Sequence, residues 1–301
     1  MASGKSVRRW QIVLITACAA AIYFTMRALP TGTNLHNADF SAPGQGQLEF
    51  CDPANPQFIP VTTAKSPVTL TLTGDSSAVT GRETHYVLTL KTWNGQDIGP
   101  ADLLVSQTQK IHLLVADPSL QDYQHIHPVP GEKNGEWLFA LTPRLGGHYC
   151  VYADFTPVVT ARSLYAATDI QVEGKTSADV PARSWVFEQA GYRFQLAPAT
   201  LPIRARQPAD LTFTVTRIDG GAVPMETVMG AYAHLVVFDA ALTGFAHVHP
   251  RQADVSQKLD ALKPALTFKL MIPDEGRFVI WAEVNLGGHL HFAPFWFEVA
   301  P

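Results

Sequence analysis

Apolar and polar residues alternate along most of the chain, which is the pattern of a half-buried β-strand. Val68–Thr73 and Thr84–Trp93 show it most clearly, and Asn94-Gly95 follows as a hairpin turn signal. More predicted strands follow at short spacing, at Ile111–Ala116, Tyr123–His127, Glu136–Leu141, Tyr149–Phe155 and Leu164–Val172. About seven short strands in roughly 105 residues predict an antiparallel β-sandwich of immunoglobulin-like type.

The same pattern begins again after a polar stretch at residues 173–181. Asp210–Arg217 corresponds to the predicted strand at Thr84, and Glu275–Glu283 corresponds to Gly146–Asp154. Correspondence over this much of the sequence indicates a tandem duplication of one domain. We therefore predict an all-β protein with two tandem immunoglobulin-like antiparallel β-sandwich domains, at residues 66–174 and 182–301, preceded by a linker at 31–65.

The first thirty residues contain a long apolar run from Trp10 to Met26, preceded by Lys5, Arg8 and Arg9. Extended to Leu29, it reaches the ~20 residues that one transmembrane helix needs. The basic residues predict a cytoplasmic N-terminus. We predict an uncleaved signal anchor at residues 1–30, a single pass through the inner (cytoplasmic) membrane, and a C-terminal body in the periplasm or outside the cell.

Two other interpretations of this segment stay open. A cleaved signal peptide would have a shorter apolar core and a clear cleavage site. Ile15–Cys18 resembles a lipobox, in which Cys18 would be lipidated, although the apolar run continues past this cysteine. All three interpretations place the same body outside the cytoplasm.

Six of the eleven histidines lie in two copies of one motif, Lys110–Pro128 and Tyr232–Pro250. Both copies read His-Leu-x-Val-x-Asp, then Leu, an aromatic residue and His-x-His-Pro. The copies are offset by 122 residues, so that three pairs of histidines correspond: His112 with His234, His125 with His247, and His127 with His249.

Each copy is predicted to fold as a hairpin. With residues 119 and 120 at the tip, His112 stands opposite His127, and His125 shares the face of His127 because strand side chains alternate. Three neutral imidazoles on one surface favour copper, zinc or nickel over calcium or magnesium. His289 and His291 are candidate additions to the second set, so we expect the second domain to hold the better metal site.

The histidines also have an architectural interpretation, in which each ring donates to a carbonyl and packs its face. Asp154 and Glu283 repeat after an alanine in matched strands. We interpret them as exposed strand-end carboxylates, with the alternative that they orient a histidine. Cys51 and Cys150 are a candidate disulfide outside the cytoplasm, and the alternative is that Cys150 is a thiolate ligand beside His148.

Composition narrows the function further. The hydrophobic fraction of 47% is sufficient for two cores, and the net charge of −4 gives no basic surface for nucleic acid. The sequence has no Gly-x-Ser-x-Gly elbow, phosphate loop or His-Glu-x-x-His motif. We therefore expect a protein that is not an enzyme.

The run from Gly220 to Val237, followed by Leu242, Phe245 and His247–Pro250, resembles a module of secreted or membrane-anchored bacterial proteins. These proteins are mostly uncharacterised and are similar to YtkA-like and other immunoglobulin-like or cupredoxin-like domains. The resemblance spans both domains and is closest from Gly220 to Glu283. The resemblance implies a β-sandwich outside the cytoplasm. Some proteins of this wider group are suspected of handling copper or other heavy metals, so the resemblance also implies a role of that kind.

The sequence thus predicts a membrane-anchored metal-binding protein that handles copper or zinc through its His-x-His hairpins. A metal donor or acceptor protein is the expected partner. The alternative function is a structural or protein-interaction module whose histidines are architectural.

Overall fold

The computed structural model describes residues 9–28, 33–41, 58–62, 66–252 and 254–301. These residues form one α-helix, α1 (Arg9–Ala28), and two 3₁₀ helices, Asn37–Phe40 and Pro100–Asp102. All other regular elements in them are strands. The strands of the first half are β1 (Val68–Gly74), β2 (Ala78–Val79), β3 (Thr84–Thr92), β4 (Ile111–Ala116), β5 (Tyr123–Ile126), β6 (Val129–Pro130), β7 (Glu136–Leu141), β8 (Gly147–Phe155) and β9 (Leu164–Glu173). The strands of the second half are β10 (Val186–Gln189), β11 (Tyr192–Pro198), β12 (Ile203–Arg204), β13 (Pro208–Arg217), β14 (Met225–Glu226), β15 (His234–Asp239), β16 (Phe245–Val248), β17 (Ala265–Met271), β18 (Gly276–Leu286) and β19 (His289–Ala300).

The first half is a sandwich of two sheets with strand orders β1-β3-β7-β6 and β2-β9-β8-β4-β5. These orders are those of immunoglobulin strands A-B-E-D and A′-G-F-C-C′. Within the second sheet, β2 pairs in parallel with β9, and the other pairings are antiparallel. The all-β, immunoglobulin-like architecture predicted from alternation is therefore present in the first half.

The second half largely repeats this topology, with β10 added at the edge of one sheet and no counterpart of β6 among the described strands. Its outer sheet has the order β10-β11-β13-β17, and its inner sheet has the order β12-β19-β18-β15-β16, with β14 also paired to β18. As in the first half, a two-residue strand, here β12, runs parallel to the last strand. The chain thus contains two β-sandwiches of the same type.

The two sandwiches pack face to face through their inner sheets, which gives four layers and three hydrophobic cores. One core fills each sandwich, and a third lies between β4, β5, β8 and β9 of the first half and β15, β16, β18 and β19 of the second. This arrangement explains why β4 is buried at every position. Leu113 and Val115 point into the first core, whereas Leu114 and Ala116 point into the core between the sandwiches.

Aromatic contacts in the core between the sandwiches are reciprocal. Tyr123 contacts Trp281 with ring centroids 5.8 Å apart, and the corresponding residues of the other copy, Phe245 and Tyr152, are 5.3 Å apart. An equivalent contact made in both directions is what an internal two-fold axis produces. The duplicated domains are therefore packed as the two halves of a symmetric dimer within one chain.

Two pieces of the predicted linker contact the sandwiches. Leu35 and Phe40 join the core of the first sandwich. The Ile59 N–H donates to the carbonyl of Phe245 at 2.7 Å, which adds a bridge to the edge of the second sandwich. Gly244 allows this approach, because a Cβ there would lie 1.8 Å from the Ile59 oxygen. The described parts of residues 31–65 that contain Leu35, Phe40 and Ile59 thus lie against the sandwiches.

The N-terminal helix α1 exposes its apolar side chains, among them Trp10, Ile15 and Phe24. In the described part of the chain, no helix meets the length and apolarity needed to cross a membrane. The transmembrane helix predicted for residues 1–30 is therefore not supported by the structure.

Replacing Phe245 by alanine tests the packing between the sandwiches. Its ring is 1% exposed and contacts Tyr152 and Tyr165 of the first sandwich. We expect the free energy of unfolding to fall by about 3–5 kcal/mol, from lost burial and the resulting cavity, as measured by urea denaturation. Ile218→Ala, at an exposed position, is the control and should change it by about 0.5 kcal/mol or less. A comparably small loss for Phe245→Ala would contradict this packing.

Candidate metal centre

The histidine motif forms the β4–β5 hairpin in the first sandwich and the β15–β16 hairpin in the second. Leu113 pairs with Ile126, so the next residues outward, His112 and His127, stand opposite each other, as the predicted hairpin required. The second hairpin has the equivalent register. In both hairpins the histidine face belongs to the surface between the sandwiches.

The aspartate of the motif shapes the hairpin turn. Asp117 accepts hydrogen bonds from the backbone N–H groups of Ser119, Gln121 and Asp122 at 2.7–2.9 Å. Asp239 accepts from the Thr243 N–H at 2.8 Å in the same way. Carboxylates that bond their own turn fix its length and therefore the register of the strands. This explains why the spacing between the histidines is identical in the two copies.

The first trio consists of His112, His125 and His127, and one ring nitrogen of each histidine converges with the other two. His112 Nδ1 lies 3.1 Å from His125 Nε2 and 3.2 Å from His127 Nε2. The other nitrogen of His112, Nε2, is 3.0 Å from the Ser106 carbonyl and can only donate to it. His112 Nδ1 therefore presents a lone pair to the other two rings.

The second trio, His234, His247 and His249, has the same arrangement. His234 Nδ1 lies 3.2 Å from His247 Nε2, and His234 Nε2 is 3.0 Å from the Val228 carbonyl. His249 Nε2 is buried and has no hydrogen-bond partner in the described part of the chain. In each trio, one nitrogen per ring lies within 4.8 Å of the other two, a spacing that could hold a metal ion.

Two buried carboxylates contact the trios from the opposite sandwich. Glu283 Oε2 lies 2.7 Å from His125 Nδ1, and the Glu283 side chain is 4% exposed. Asp154 Oδ2 lies 3.5 Å from His247 Nδ1, and its side chain is 17% exposed. Our interpretation of both as exposed strand-end carboxylates is wrong, because each sandwich covers the strand end of the other. Their repeat after alanine was the sequence signal for the alternative role.

Burial lowers the pKa of all six imidazoles. The pKa falls to about 4 for His127 and His249 and to about 3 for His234, and it is also lowered for His112, His125 and His247. Desolvation is the largest cause in each case, followed by neighbouring imidazoles for most of them. The rings are therefore neutral near pH 7, which is the form that binds a metal.

Burial also raises the pKa of Glu283 to about 8 and that of Asp154 to about 7. With Glu283 protonated, its O–H donates to His125 Nδ1, and the His125 Nε2–H can then donate to His112 Nδ1. With Glu283 ionised, the carboxylate accepts from His125 Nδ1–H, and the lone pairs of His125 Nε2 and His112 Nδ1 face each other at 3.1 Å. Only a cation between these two nitrogens makes this second state favourable. The 3.1 Å distance suits a metal ion, because two ligands bonded at ~2.0–2.1 Å are about 2.9–3.4 Å apart.

His289 and His291 do not join the second trio. On β19, Phe292 is paired with Glu283, whereas His291 is paired with Val284 of the second sandwich's core. Adjacent residues of a strand point to opposite faces, so His291 lies on the other face and packs against the rings of Tyr192 and Phe194. The expectation that these two histidines improve the second site is wrong.

Cys150 and His148 also stay apart from the trios. His148 Nε2 lies 3.0 Å from Asp169 Oδ2 on an exposed part of the sheet. Burial raises the pKa of Cys150 to about 11, which keeps it a thiol near pH 7 and disfavours its role as a thiolate ligand. Cys51 lies outside the described residues, so the disulfide with Cys150 stays a prediction.

Comparison with known proteins finds one family model that matches most of the second sandwich. Residues 187–301 match a family described as a domain of unknown function, DUF8832. This match covers less than half of the chain, and the resemblance to YtkA-like proteins stays a prediction. No curated protein matches the chain.

Several solved structures are similar at low identity. The fibronectin(III)-like modules of Clostridium thermocellum CbhA are 13% identical, with a TM-score of 0.20, over 76% of this chain and 94% of that one. A DUF4785 family protein from Legionella pneumophila is 12% identical, with a TM-score of 0.25, over 78% and 56%. The Escherichia coli adhesin FdeC is 14% identical, with a TM-score of 0.25, over 79% and 67%. These likenesses carry no assignment of function.

The buried imidazoles predict acid sensitivity of the metal-free protein. The unfolded chain protonates its histidines near pH 6.5, whereas burial lowers the pKa of all six in the folded chain, to about 4 for His127 and His249 and to about 3 for His234. Stability is therefore lost as the pH falls below about 6.5. The raised pKa values of Asp154 and Glu283 increase stability as the pH falls, but these two carboxyl groups are outnumbered by the six imidazoles, whose lowered pKa values decrease it. We expect the melting temperature in EDTA to fall by about 5 °C or more from pH 7 to pH 5.

His85→Asn is the control for this measurement, since the His85 side chain is 67% exposed. Its melting temperature should follow the same pH dependence as the unchanged protein. A melting temperature that is constant or higher at pH 5 in the unchanged protein would contradict the burial of six neutral imidazoles.

Proposed function

We propose that this protein is a non-enzymatic metal-binding protein that handles copper or zinc through the two trios. The observation that carries the proposal is the convergence of one nitrogen from each of three rings to within 4.8 Å, twice in one chain. A histidine that only packs needs no such convergence. The buried His249 Nε2, which has no partner among the described residues, supports the same conclusion because an unpaired buried polar atom is costly.

The donor set favours particular metals. Each trio offers three neutral nitrogens, which suit copper, zinc and nickel, whereas calcium and magnesium take oxygen ligands. Zinc sites with three histidines leave a fourth position for water or another ligand. Copper is further supported by the sequence resemblance to modules of bacterial proteins that include suspected copper handlers.

Access to the trios favours transfer of the ion over permanent storage. His112 and His234 are buried residues, whereas His127 and His249 are only half-buried. A partner could therefore approach through the His127 and His249 side of the cluster. We propose a metal donor or acceptor protein as that partner.

We further propose that the N-terminal segment anchors the body to the inner membrane, with the sandwiches on the outer side. Support comes from the sequence, in which Lys5, Arg8 and Arg9 precede the apolar run from Trp10 to Met26. Positive charges before an apolar segment favour a cytoplasmic N-terminus.

Calorimetric titration of the EDTA-treated full chain with Cu(II) or Zn(II) tests metal binding. We expect two ions per chain for the unchanged protein. The triple variant His234→Asn, His247→Asn, His249→Asn should bind one, because its second trio has lost all its donors. His289→Ala with His291→Ala is the matched control and should still bind two.

The same variants separate metal binding from the architectural alternative. That alternative predicts no measurable binding by the unchanged protein, together with a large loss of melting temperature in the metal-free triple variant. Equal heats for the unchanged protein and the triple variant, or no heat of binding for the unchanged protein, would contradict the proposed function.

Cell fractionation tests the anchor. The full chain should remain in the membrane fraction after carbonate extraction, because a spanning helix is not removed by high pH. A chain with Leu14→Asp and Ile15→Asp should be lost from that fraction, since central charges disfavour insertion by about 2.5–3.5 kcal/mol each. Recovery of the unchanged chain in the soluble fraction would contradict anchoring.

A further inference from the structure

The two trios exchange carboxylates. Glu283 is paired across the sheet with His234 of its own sandwich, and Asp154 is paired with His112 of its own. Yet the Glu283 carboxylate contacts His125, and the Asp154 carboxylate lies beside His247. Each trio is therefore completed by a carboxylate from the other sandwich.

The contacted histidines explain what these carboxylates do. In both trios, the carboxylate meets Nδ1, and Nε2 is the nitrogen that converges with the other rings. A carboxylate at one ring nitrogen fixes the tautomer and orientation of a ligating histidine and increases its basicity. Glu283 and Asp154 are thus suited to be positioning residues that do not bind the ion directly.

The trios are also close to each other. The ring centroids of His112 and His247 are 5.6 Å apart, and those of His125 and His247 are 5.5 Å apart. Ring centroids within one trio are only slightly closer, from 4.7 Å for His125 and His127 to 5.4 Å for His234 and His247. Given metal–nitrogen bonds of ~2.0–2.1 Å, ions held by the two trios would lie within about 12 Å of each other.

We propose, resting on the metal binding proposed above, that the six histidines and two exchanged carboxylates form a single two-ion centre between the sandwiches. Two divalent cations this close in a buried site repel each other. The two carboxylates offset part of that repulsion, one beside each trio. Neither sandwich alone contains a complete site, because each lacks the carboxylate that orients its own middle histidine.

The two halves of the centre differ in quality. The Glu283–His125 contact is 2.7 Å, whereas the Asp154–His247 contact is 3.5 Å, too long for a good hydrogen bond. Aspartate is one methylene shorter than glutamate and does not reach as far. The first trio is therefore better oriented, and it should fill first.

Single-trio variants of the full chain test the exchange, with Cu(II) alone as the probe. One background, His247→Asn with His249→Asn, keeps the first trio, and the other, His125→Asn with His127→Asn, keeps the second. In the first background, Glu283→Gln should weaken Cu(II) binding about 10–100-fold, and this loss should exceed that from Asp154→Asn. In the second background, Asp154→Asn should cause the larger loss.

Three controls separate positioning from general damage. Glu298→Gln, at an exposed carboxylate paired with Arg183, should leave Cu(II) affinity unchanged. The metal-free melting temperature of Glu283→Gln should stay close to that of its background. The copper hyperfine splitting in the electron paramagnetic resonance spectrum should change with Glu283→Gln and not with Glu298→Gln, because only Glu283 contacts a ligand.

The spectrum of the unchanged chain loaded with two Cu(II) ions tests whether the ions share one centre. We expect spin–spin broadening that is absent from both single-trio backgrounds. A simple sum of two isolated spectra would overturn the proposal, as would carboxylate variants that weaken only the trio of their own sandwich or neither trio. If the unchanged chain binds no copper or zinc, it is the proposed function that fails.

Discussion

The packing of the two inner sheets against each other is the constraint on which the rest of this structure depends. It covers the face of β4 and of β15 that points away from the core of its own sandwich. The histidine motifs are therefore buried instead of lying on a surface. The aromatic contacts of Tyr123 with Trp281 and of Tyr152 with Phe245 provide much of this core. Because the contact is two-fold, each motif is brought against its own copy, and both histidine trios lie at one place.

Burial then sets the chemistry of the site. A carboxylate removed from water is costly unless it has a partner, and Glu283 and His125 partner each other across the two sandwiches. The same desolvation keeps the imidazoles neutral, which prepares them as ligands and makes the metal-free protein sensitive to acid. Stability and the proposed metal binding are thus linked, because an ion that bound only the folded state would stabilise it.

Much of the fold could be predicted from the sequence, because alternation and turn residues are local signals. The predicted strand Glu136–Leu141 has the observed bounds, and the hairpin register that places His112 opposite His127 follows from its tip. The exchange of Glu283 and Asp154 could not be predicted, because it depends on how two sandwiches pack, which no local pattern records. The prediction that His289 and His291 join the second trio failed for a related reason. A position near the end of a strand does not determine which face of the sheet a side chain occupies.

We propose that the ring nitrogens of each trio converge on a metal ion. Crystals of the full chain loaded with copper or zinc, measured at the absorption edge of that metal, test it most directly. We expect two anomalous peaks between the sandwiches, each about 2.0–2.1 Å from Nδ1 of the first histidine and Nε2 of the other two. A map without a peak at either trio, with the rings hydrogen-bonded to one another, would contradict it.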